Sequence, residues 1–86
     1  MKYLVINNVE LEDIENMLDK VNSATEKLKN DLLKGKETTV NLIRRFFNGI
    51  WGEGTSEKVF GNTKNLLIYL KALQNVFDRY KQLNCQ

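Results

Sequence analysis

The sequence predicts an all-α fold, an antiparallel helical hairpin reversing around Trp51, Gly52 and Gly54. Three observations carry that expectation. Apolar residues recur at three-four spacing from Leu11 to Leu32, a cleaner heptad run extends from Val59 to Tyr80, and three of the five glycines crowd between them in a chain without proline.

The first helix is expected to start near residue 9. Leu11, Ile14, Leu18, Val21, Leu28 and Leu32 fall on one helical face, and Glu12, Asp13, Glu15 and Asp19 gather where the helix dipole favours acids. Beyond Leu32 the same phase passes through Gly35, Thr39, Leu42 and Phe46. Either one helix runs from about residue 9 to 50, softened at Gly35, or Gly35 ends it and Thr38 or Thr39 caps a second. The long helix is favoured, because a glycine costs only about 1 kcal/mol inside a helix and the heptad phase survives it. Val40, Ile43, Phe47 and Ile50 add a second stripe beside Leu42 and Phe46, so residues 40–50 should be the most heavily buried.

The turn follows, and Thr55 or Ser56 is the expected N-cap of the next helix, with Glu57 in its first turn. The seam of that helix is Val59, Leu66, Leu70, Leu73, Phe77 and Tyr80, and it should end near Leu83. A two-helix hairpin buries only one seam of each helix. The remaining apolar stripes predict association into a four-helix bundle, as a homodimer or as a heterodimer with another helical protein; folding back at Gly35 into a three-helix bundle is the alternative.

Eighty-six residues make one domain with a thin core. The formal charge of +2, from 13 basic and 11 acidic residues spread along the chain, leaves no electrostatic footprint for nucleic acid. Histidine is absent, which removes the commonest general base and metal ligand, and the single cysteine, Cys85, allows no intrachain disulfide. Glu53 has no second acid or histidine beside it and reads as an exposed turn residue. Arg44 and Arg45 precede Phe46 and Phe47, a pairing that suits solvated charges above core rings better than stacking on bases. The run Tyr3-Leu4-Val5-Ile6 is too short for a signal peptide or a membrane span. The expectation is therefore no enzyme, no cofactor, no metal, no small-molecule ligand, no nucleic acid and no stable membrane insertion.

The stretch Ile50-Trp51-Gly52-Glu53-Gly54-Thr55-Ser56-Glu57-Lys58-Val59-Phe60 resembles the WXG family of small secreted helical hairpins, which carry Trp-x-Gly in the turn, then small hydroxyl residues, and a phenylalanine six residues after the glycine. Gly54, Thr55, Ser56 and Phe60 reproduce the latter part. The chain departs in reading Trp-x-x-Gly, and in lacking the C-terminal Tyr-x-x-x-Asp/Glu export signal, since Tyr80 is followed by Asn84 and Phe77 by Lys81. The resemblance implies a divergent member that pairs through apolar helix faces with itself or a cognate type VII secretion effector, cytoplasmic before leaderless export. The contact face expected is Leu66, Leu70, Leu73 and Phe77 with Phe46, Phe47 and Trp51. An intracellular helical regulator, such as a bacteriocin immunity protein or a phage-encoded inhibitor, is the alternative.

Overall fold

A computed structural model describes residues 3–84; Cys85, expected to be a solvent-facing thiol, lies outside them. The chain opens with a β-hairpin of β1 (Tyr3–Ile6) and β2 (Val9–Glu12), continues through a 3₁₀ turn at Ile14–Asn16, and then forms four helices: α1 (Leu18–Lys34), α2 (Thr39–Trp51), α3 (Thr55–Phe60) and α4 (Leu66–Asn84). The all-α expectation is thereby corrected to a mixed fold. Neither the two-helix hairpin nor the three-helix bundle is present.

The hairpin stands where the first helix was expected to begin. Asn7 and Asn8 both take positive φ, 51° and 67°, the conformation that a two-residue connection between right-twisted strands demands and that asparagine tolerates. Register runs Ile6 to Val9 and Leu4 to Leu11, so Leu4, Ile6 and Leu11 fall on one face and are buried. Leu11 was assigned to a helical seam; its burial is that of an alternating strand.

Helix α1 starts nine residues later than expected and carries Val21 and Leu28 inward, while Leu32 is exposed. It stops at Gly35, which caps it in the left-handed region at φ 64°, with its N–H donating to the Leu32 carbonyl. The continuous helix favoured from heptad phase is thus broken here. Helix α2 then starts behind Thr38, whose hydroxyl accepts from the Asn41 N–H at 3.2 Å. The two helices pack antiparallel, closely enough that Ala24 and Gly49 face each other.

Residues 40–50 are the heart of the core, as their composition indicates: Leu42, Ile43, Phe46, Phe47 and Ile50 are all buried. The turn at Gly52 and Gly54 exists, but it leads into a six-residue helix and does not join two long ones. Thr55 and Ser56 are buried inside α3, behind Gly54 as its cap. Gly61 ends that helix, and Asn65 starts α4 by accepting from the Leu67 N–H at 3.1 Å.

Candidate interaction surface

The expected contact residues divide between core and surface. Phe46 and Phe47 are 3% and 0% exposed, so they lie inside the core and not at the surface. Phe46 meets Phe77 edge-on at 5.8 Å between ring centroids, which leaves Phe77 half-buried at the margin of the core with Leu73. Leu66 and Leu70 are each 44% exposed. In α4 the buried line is Tyr69, Ala72 and Val76, displaced round the helix from the expected seam. Heptad spacing fixed the period of this helix, but Leu66 and Leu70 lie on the flank of the inward face, not at its centre.

Helical spacing sets both Leu67, 57% exposed, and Leu66 one turn from Leu70, so that Leu70 borders each of them. Sequence reading passed over Leu67 because it lies off the heptad seam. These three leucines cover the first two turns of α4, followed by exposed Lys71 and preceded by exposed Lys64.

The glycine-turn motif is structural. Trp51 stacks on Phe47 at 5.6 Å, and Phe60 meets the same ring edge-on at 5.2 Å. Phe60 in turn stacks on Tyr69 at 4.1 Å. The indole N–H of Trp51 donates to the Glu12 carbonyl at 2.8 Å, pinning the β-hairpin to the end of α2. Gly52 and Gly54, at φ 104° and 90°, let the chain reverse tightly enough for Phe60 to return to Phe47.

The charges near this core have intramolecular partners. Arg44 donates to the Tyr69 hydroxyl at 2.8 Å and to the Gly61 carbonyl at 3.0 Å, and the Tyr69 hydroxyl donates to the Thr63 carbonyl at 2.6 Å. The 61–65 connection is thereby tied to α2 and α4. Arg45 pairs with Glu37 and Asp31. Asp13, 5% exposed, receives a two-pronged contact from Arg79, Nε to Oδ1 at 2.8 Å and Nη2 to Oδ2 at 2.6 Å. These hydrogen bonds hold its carboxyl below the usual carboxylate range against the opposing effect of burial. Nothing in the spacing of the sequence announced this pair, which joins residues 66 positions apart.

A shallow groove of about 260 Å³ runs between α1 and α2, floored by Leu28, Leu42 and Phe46 and rimmed by Lys27, Asp31, Arg45 and Glu53. The small pair Ala24 and Gly49 keeps it open. Among the described residues every buried side-chain nitrogen and oxygen has a partner, no cluster of three or more metal-ligating side chains occurs, and no helix is long and apolar enough to cross a membrane.

The fold defines a class: a small α-rich protein with an N-terminal β-hairpin, whose one buried carboxylate among the described residues is committed to an ion pair. The chain belongs to a family of unknown function (DUF6673), whose model matches residues 5–86. No curated protein and no solved structure matches it.

Proposed function

We propose that this protein is a compact, non-catalytic regulator that folds as a single chain and binds another protein through the first two turns of α4. The observation that carries this reading is the exposure of three leucines, Leu66, Leu67 and Leu70, within five residues of α4; the other large apolar residues at the surface come only in pairs, Leu32 with Leu33 at the end of α1 and Tyr3 with Val5 on β1. The regulator reading requires a chain folded back at Gly35, which is where α1 ends. The pairing of two long helical hairpins loses its physical basis, because the stripes that needed a partner are largely covered by α2, α3, α4 and the β-hairpin of the same chain. The fold implied by the WXG resemblance is absent, so export through a type VII apparatus is not part of this proposal.

The partner chemistry follows from the patch. Three leucines between Lys64 and Lys71 suit an apolar helix face bordered by acids. A photo-crosslinker at position 67, introduced into the full chain in its native cell, should join it to one protein, and the same group at Asn75 on another side of α4 should not. Adding Leu70→Lys should abolish the adduct without changing the melting temperature. Equal labelling from positions 67 and 75, or an adduct indifferent to Leu70→Lys, would refute the assignment.

A further inference from the structure

We propose that β1 is an association edge at which two copies of this chain pair their β1 strands antiparallel about a two-fold axis at Leu4, making a four-stranded sheet. The backbone geometry of the hairpin leads there. A two-residue turn is closed by a hydrogen-bonded pair, here Ile6 with Val9, and bonded and non-bonded pairs then alternate along the ladder. Leu4 and Leu11 form the next bonded pair. Tyr3 and Val5 therefore aim their N–H and C=O groups away from β2. The Glu12 carbonyl, opposite Tyr3, shows the same alternation, because it faces outward and accepts from the Trp51 indole.

The two edges of the hairpin differ. That indole covers the outer side of β2 at Glu12, whereas β1 has β2 as its one strand neighbour, and among the described residues the backbone of Tyr3 and Val5 makes no turn, loop or cap hydrogen bond. The side chains of Tyr3 and Val5 are 56% and 54% exposed. Natural sheets blunt such edges with lysine, proline, a bulge or a very short strand; residues 3–6 contain no lysine, proline or bulge, and the four-residue length of β1 is what keeps the pairing weak.

A second copy is the occupant that this edge fits by symmetry. With the axis at Leu4, Tyr3 of each copy lies directly across from Val5 of the other, in bonded pairs that supply four hydrogen bonds. Each such pair is an aromatic ring against a β-branched side chain, a favourable cross-strand combination. The acids Glu10 and Glu12 stay on the outer strands. Three strand spacings of about 4.8 Å separate them from their counterparts, well beyond the screening length of about 8 Å at physiological salt. Four residues per copy bury less than the roughly 1,000 Å² of a stable interface, so the dimer is weak and concentration-dependent.

The inference stands apart from the α4 patch, and the experiment separates them. Sedimentation equilibrium of the full chain from about 10 µM to 1 mM should show a monomer–dimer equilibrium, with Leu67→Lys behaving as wild type. Tyr3→Lys and Val5→Glu should each weaken dimerisation about tenfold, since both cross-strand pairs are lost in the symmetric dimer. Mixing the two variants should restore it, because the mixed dimer sets the new lysine opposite the new glutamate. Circular dichroism melting checks that both variants fold. A wild-type monomer at 1 mM, a dimer indifferent to either substitution, one lost with Leu67→Lys, or failure of the mixture to recover would overturn the proposal.

Discussion

Replacing Asp13 by asparagine removes one charge from a contact that is closed to water on the acid side, and its effect can be worked from the structure. The carboxylate is 5% exposed and takes two hydrogen bonds from Arg79, at 2.8 and 2.6 Å. Breaking a fully buried ion pair costs about 3–5 kcal/mol, but the Arg79 side chain is 13% exposed and can turn to water, so a loss of about 2 kcal/mol is expected. Chains of this length have a total stability of roughly 4–13 kcal/mol, and such a loss lowers the melting temperature by about 10 °C. Urea unfolding followed through Trp51 fluorescence measures it. The pH dependence gives a second reading. The carboxyl titrates lower in the folded chain than the usual value of about 3.9 in the unfolded one, so its stabilisation is fully present above that value and fades as pH falls through the folded value. The gap between wild type and Asp13→Asn should stay constant from about pH 7 to 5 and close below about pH 4. An equal gap at pH 7 and pH 3, or none at pH 7, would refute the reasoning.

Gly35→Ala should destabilise by about 1 kcal/mol, since φ at this helix end is 64° and a Cβ is strained there; thermal melting checks it. Gly49→Ala should do the opposite. Its new Cβ would meet the Ala24 Cβ at 3.9 Å, an ordinary contact, so helix propensity should raise stability by about 0.5 kcal/mol while narrowing the α1–α2 groove. Trp51→Phe retains a ring against Phe47 but loses the bond to the Glu12 carbonyl. It should cost about 1 kcal/mol and speed amide hydrogen exchange in residues 3–12 more than in α1 or α2.

Periodicity found the inward turns of α1 and marked residues 40–50 as core, because they are apolar over an arc too wide to face anything else. It misplaced residues 9–12, which form β2, for an identifiable reason. Leu11 continues the spacing of Ile14 and Leu18 by coincidence, and that pattern masked the stronger local signal, two asparagines between short apolar runs, which marks a tight hairpin. At Gly35 a preserved heptad phase outweighed the glycine, although a left-handed cap leaves the phase of the next helix unconstrained. Of the contact residues expected, Leu66 and Leu70 do reach the surface. Phe46 and Phe47 do not, since a sequence marks which residues avoid water without saying whether their own chain or another covers them. The Asp13–Arg79 pair and the Trp51–Glu12 bond depend on how distant elements cross, which no local spacing encodes.

The tie between Asp13 and Arg79 also sets a timetable for synthesis. The β-hairpin and the α1–α2 pair rest on near neighbours in sequence and can form while the chain is still being made. The contact that secures Asp13 must wait for a residue translated 66 positions later, several seconds at roughly 5–20 residues per second. Through that interval Leu4, Ile6 and Ile14 lack α4 and Phe60, with which they share the finished core. A growing chain thus carries these apolar residues only partly sheltered until α4 has been made, and closure of the core waits on that helix.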